Sequence, residues 1–194
     1  MLRVVVLISG AGSNLRAFLD DCNAGNVPAT VVAVGSDVNA PGLEHAHRHG
    51  IPTFVEPLAT GEDREAWGKR LAAAIESFTP DLVILSGFMK LLPASFVERF
   101  APMLLNTHPA YLPEFPGAHA VRDALEAGAT ETGASVIVVD AGIDTGPILA
   151  QSRVPIHDDD TESTLHDRIK IVERKLLSAV VRDIASREDS IEGN

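Results

Sequence analysis

The feature that most constrains this chain is an alternation of short aliphatic runs with amphipathic stretches, repeated along almost its whole length. Leu2–Ile8 is apolar apart from Arg3. A strand exposed on one face alternates apolar and polar residues, whereas a continuous run marks a strand covered on both faces. Residues 14–24 follow with Leu15, Phe18, Leu19 and Cys22 at helical spacing. Further strands are expected at 30–34, 52–55, 103–105, 134–139, Leu82–Leu85 and Ile148–Pro155, and further helices at 41–49, 62–78, 118–127 and Ala94–Phe100. Thr161 is placed to cap a last helix reaching about residue 185. Strand–helix alternation of this kind predicts an α/β fold with a Rossmann-like, mostly parallel sheet and helices on both faces. The last two strands form an antiparallel pair across the turn at 140–146. Residues 1–185 read as a single domain and 186–194 as a polar, frayed tail.

Ligands bind such sheets outside the carboxyl ends of the strands, and the unusual residues collect there. The first is SGAGSN at 9–14, where Gly10 and Gly12 permit a tight turn and close ligand approach. The N–H groups of the next helix suit a phosphate. A dinucleotide fingerprint with Asp37 as the ribose acid is the rival, but its third glycine position holds Leu15. A plain strand–helix turn is the third reading. The stretch 106–117, NTHPAYLPEFPG, holds three prolines and a glycine and reads as an irregular, rigid loop. It opens with Asn106 and His108, a carboxamide and an imidazole suited to oxyanion stabilisation and proton transfer. The bland alternative is a loop histidine that satisfies one hydrogen bond. In DAGIDTGPI, 140–148, either Asp140 or Asp144 can hold His108 in its charged form, and spacing does not choose between them. A hairpin turn would use the same residues.

Composition removes other classes. A formal net charge of −11 argues against a polynucleotide partner. One cysteine, Cys22, allows no intrachain disulfide. The first apolar run is too short to span a membrane and lacks a cleavage pattern, so a cytoplasmic protein is expected. The histidines at 45, 47 and 49 complete no metal-site pattern, so no metal is expected. Ser86-Gly87 lacks the flanking pattern of a nucleophile elbow.

Taken together, SGAGSNL near the start, SGFMKLL at 86–92, LLNTHPAYLPEFPG at 104–117, DTGPILAQ at 144–151 and Glu173-Arg174 in the last helix resemble phosphoribosylglycinamide formyltransferases in order and spacing. The resemblance implies formyl transfer from 10-formyltetrahydrofolate, as co-substrate, to the glycinamide amine of 5′-phosphoribosylglycinamide in purine biosynthesis. It implies a monomer or homodimer with small-molecule substrates, without nucleic acid or membrane. It assigns Asn106, His108 and Asp144 to catalysis, and Gly12, Ser13, Asn14, Lys170 and Glu173 to the nucleotide. Arg64, Met89, Lys90, Leu91, Leu92, Asn106, and Asp140, Ala141, Gly142, Ile143 and Asp144 would surround the folate. It also implies a cis Leu112–Pro113 bond, in a loop that must reverse between Pro109 and Pro116. Three positions depart from the family's habit: Ile137 and Val121 where histidines are common, and Lys90 where arginine is. Related formyl-folate activities remain as alternatives. Methionyl-tRNA formyltransferases need a further domain and a basic surface, formyltetrahydrofolate hydrolases usually add an N-terminal regulatory domain, and a non-enzymatic nucleotide-binding module needs neither.

Overall fold

The computed structural model describes residues 1–192. Its elements run β1 (Leu2–Ile8), α1 (Ser13–Asn23), β2 (Ala29–Ser36), α2 (Leu43–Arg48), β3 (Thr53–Val55), α3 (Arg64–Glu76), β4 (Leu82–Leu85), α4 (Ala94–Phe100), β5 (Leu104–His108), α5 (Ala120–Glu126), β6 (Glu131–Val138), β7 (Ile148–Pro155) and α6 (Glu162–Glu192). The sheet order is β3-β2-β1-β4-β5-β6-β7. The first five strands pair in parallel, while β6 is antiparallel to both β5 and β7.

The continuous apolar runs are explained by two cores. Leu2, Val4, Val6 and Ile8 of β1 pack with Leu15, Phe18 and Leu19 of α1, Leu43 of α2 and Leu177 of α6. Val5 and Leu7 point the other way, onto Trp67 and Leu71 of α3 and Phe96 of α4. Each such side chain contributes about 1.5–3 kcal/mol relative to exposure. A smaller cluster of Val121, Ala134, Val154, Leu165 and Ile169 seats α5 and α6 on the antiparallel end.

Two expectations change. Residues 106–108 were expected to be irregular, yet β5 continues to His108. Asn106 pairs with Leu85 on one side and Ile137 on the other, and His108 pairs with Ser135, so ladders on β4 and β6 keep the segment extended up to Pro109 although Asn is depleted in strands. The last helix does not stop near residue 185 but runs to Glu192, and the remainder of the expected tail lies outside the described residues. Thr161 caps it as expected, its hydroxyl accepting from the Thr164 N–H at 3.3 Å. Leu112–Pro113 is cis as expected, and Ala101–Pro102 is cis as well.

After β1 the chain moves outward to β2 and β3, then returns to β4 on the other flank of β1. The carboxyl ends of β1 and β4 therefore bound a crevice at the point where the strand order reverses. The segments after β1, β4 and β5 all emerge there.

Candidate active site

β5 delivers Asn106 and His108 to this crevice, and the β6–β7 turn brings Asp144 against them. Asp144 Oδ2 lies 3.3 Å from His108 Nδ1. Its Oδ1 accepts from Asn106 Nδ2 at 3.4 Å, and Oδ2 also accepts from the Gly117 N–H at 2.8 Å. The His108 and Asp144 side chains are 5% and 11% exposed. On the far side of the ring, His108 Nε2 donates to the Phe115 carbonyl at 2.9 Å. A carbonyl can only accept, so Nε2 carries the proton and Nδ1 is the edge turned toward Asp144.

The geometry also separates the two acids. Asp140 Oδ1 accepts from the Gly142 N–H at 3.0 Å and from the Thr145 hydroxyl at 2.9 Å, so it ties its own turn together. Gly146 closes that turn where any Cβ would overlap the Val138 carbonyl oxygen. Asp144 takes φ +54, as does Phe115 at +50, a region non-glycine residues seldom enter. The two residues that hold His108 from opposite sides thus both sit in left-handed backbone. Asp144 also walls a cavity of about 350 Å³ together with Pro113, Pro116 and Ile143.

A second group lies beside the first. Gly12, at φ +66, caps α1 so tightly that a Cβ would stand 3.0 Å from the Gly42 Cα. Asn14, in the first turn of α1, donates to Glu173 Oε2 at 3.2 Å and accepts from Arg174 Nε at 2.9 Å. Glu173 is buried, and that burial pushes its carboxyl above the usual range, opposed by Asn14, the charge of His108, the Thr107 hydroxyl and Lys170. Gly12, Ser13, Asn14, Lys170 and Glu173 are therefore neighbours, and Glu173 joins them to the His108 group.

The third group follows β4. Met89 and Leu91 are exposed apolar residues, at 70% and 59%. Arg64 Nη1 donates to the Leu91 carbonyl at 2.6 Å, holding the segment from the α3 side.

A formyl transferase family pattern matches residues 2–181. The chain belongs to the formyl transferase family. It is 50% identical over 191 residues to the phosphoribosylglycinamide formyltransferase of Mycobacterium tuberculosis H37Rv, covering 98% of this chain and 88% of that protein. It is 40% identical over 181 residues to the enzyme of that name from Escherichia coli K12, covering 93% and 85%. Glycinamide ribonucleotide transformylase 1 from Symbiobacterium toebii superposes with a TM-score of 0.92 at 40% identity, covering 96% of this chain and 88% of that one.

In this formyl transferase the departures noted above fall on specific contacts. Ile137 is buried directly across the ladder from Asn106, and Val121 fills the core beneath α5. Lys90 faces Asp37 at 3.8 Å. The dinucleotide reading loses its acid, because Asp37 is 3% exposed and its carboxylate is occupied inside the protein. Sequence reasoning missed several supporting residues. The Ser135 hydroxyl donates to the Ala110 carbonyl and accepts from the Leu112 N–H, while Gln151 donates to the Leu112 carbonyl. They hold the loop that carries Phe115. A polar residue inside an apolar run, as Ser135 is, was the available signal.

Proposed function

We propose that this chain transfers the formyl group of 10-formyltetrahydrofolate to the glycinamide amine of 5′-phosphoribosylglycinamide, a step of purine biosynthesis, as a cytoplasmic enzyme of two small molecules. The observation that carries the reading is the convergence of Asn106 and His108 on Asp144 at the crevice between the strand ends. The names of its relatives support the choice of substrates.

The nucleotide's phosphate would take the N–H groups of Gly12, Ser13 and Asn14, where the glycine lets backbone approach closely and the helix end favours an anion. Glu173, with Lys170 beside it, would accept from the ribose hydroxyls. The folate's pterin would lie between the main chain of Met89, Lys90, Leu91 and Leu92 and the turn Asp140, Ala141, Gly142, Ile143 and Asp144, with Arg64 toward its tail.

The amine lone pair attacks the formyl carbon, and the carbonyl electrons move to oxygen. Asn106 Nδ2 and the His108 Nδ1–H are the donors for that oxyanion. Their separations from Asp144, 3.4 and 3.3 Å, are at the long end for hydrogen bonds, so both donors are loosely committed and free to tighten on charge as it develops. Asp144, facing the ring, would hold the water that relays a proton from the attacking amine to the departing folate nitrogen. Collapse restores the carbonyl and breaks the bond from carbon to that nitrogen. No covalent enzyme intermediate is required, and alignment of two bound substrates supplies much of the rate.

The test is an absorbance assay with a 10-formyl folate analogue. Deformylation that requires glycinamide ribonucleotide supports the proposal. Equal deformylation without the nucleotide favours a hydrolase, and none in either case refutes formyl transfer.

A further inference from the structure

A buried acid outside this machinery joins the two substrate pockets. Asp37, at the end of β2, is 3% exposed. Its Oδ1 accepts the Ser9 hydroxyl at 2.5 Å, and its Oδ2 faces Lys90 Nζ at 3.8 Å. A carboxylate can only accept, so the single Ser9 proton is committed to Asp37. Ser9 Oγ is thereby turned to accept, and it does so from the Met89 N–H at 2.8 Å. The Ser9 N–H in turn donates to the Gly87 carbonyl at 3.1 Å. One charged group thus fixes the main chain of the segment after β4, while Arg64 fixes the same segment from its other side through the Leu91 carbonyl.

We infer that Asp37, acting through Ser9 and Lys90, is a positioning residue that sets the folate-lining segment 87–92 against the phosphate loop. It also accounts for Lys90: at this position the ammonium is the counter-ion of Asp37, and the folate meets the main chain of the residue. The inference rests on reading this segment as the pterin wall.

Asp37→Asn keeps the shape and volume but removes the charge that orders the relay and holds Lys90. The expected result is a rise in KM for the formyl folate of about tenfold or more, the range for weakening hydrogen bonds to a charged group. Turnover and nucleotide KM should each stay within about threefold, because Asn106, His108 and Asp144 are untouched. A merely structural role would lower the amount of folded enzyme without this selectivity. Ser9→Ala breaks the relay yet leaves Asp37 its Lys90 partner, so it gives the same reading should Asp37→Asn fail to fold. The Ser9→Ala, Asp37→Asn double variant should be little worse than the worse single, since both cut one chain of contacts. A folate KM within twofold of wild type in both single variants overturns the inference. Leu91→Glu then shows how far the failure reaches. If it raises folate KM, only the positioning role falls. If it does not, the reading of 87–92 as the pterin wall falls with it.

Discussion

Asp144→Asn separates charge from shape at the centre of the site. Asn enters left-handed backbone at least as readily as Asp, so φ +54 is no obstacle, whereas Asp144→Ala would add a strain of about 1–2 kcal/mol. The carboxylate accepts two hydrogen bonds, from Asn106 on Oδ1 and Gly117 on Oδ2, and Oδ2 lies 3.3 Å from His108 Nδ1. An amide has one oxygen. Turned toward Gly117 and His108, it presents its NH2 to the NH2 of Asn106, so that bond is lost, the Gly117 bond becomes one to a neutral acceptor, and His108 faces no charge. A hydrogen bond to a charged group contributes about 1.5–3 kcal/mol, and each ~1.4 kcal/mol is a tenfold rate effect. Losing the charge where the oxyanion donors meet should therefore lower kcat roughly 100-fold, with folate and nucleotide KM changed much less. The assay is steady-state deformylation with both substrates saturating, alongside a melting curve to verify folding. A kcat within about threefold of wild type, in a folded protein, would refute the claim that the Asp144 charge organises the donors.

His108→Ala and Asp144→Ala should act as one unit, so the double variant measured by single-turnover kinetics should lose far less than the product of the single losses; a full product would separate the two residues. Gly12→Val forces a side chain into left-handed backbone and against the Gly42 Cα, and nucleotide KM should rise strongly while folate KM does not; an unchanged nucleotide KM would remove the phosphate from this turn. Glu173 carries a raised pKa in the folded protein, so between its ordinary and its raised value the native state binds more protons and stability falls as pH rises. Glu173→Gln removes that loss: melting temperatures of variant and wild type should be close at acid pH, with the variant gaining as pH rises, and a difference independent of pH would contradict the assignment.

The sequence alone determined the layer architecture, because strands buried on both faces must be continuous aliphatic runs and helices packed on them must carry one apolar stripe. Leu2–Ile8 and Leu82–Leu85 were legible to the residue for that reason, whereas Ile148–Pro155 is an edge strand that buries only Val154. Asn106 and His108 were legible as candidates because a carboxamide and an imidazole on a proline-ended run are chemically uncommon, although their place in a strand was not. Strand membership there depends on ladders to β4 and β6, which local propensity does not contain. The choice between Asp140 and Asp144 was likewise tertiary: both occupy one short turn, and only the folded turn spends Asp140 on Gly142 and Thr145 while pointing Asp144 at His108. The pairing of Asn14 with Glu173 spans 159 residues, and that of Ser9 and Lys90 with Asp37 joins the ends of three strands. Hydrogen bonds of this kind act over about 3 Å and so depend on where the sheet order reverses. The residue types announce which chemistry is available, and the folding of the chain decides which of them meet.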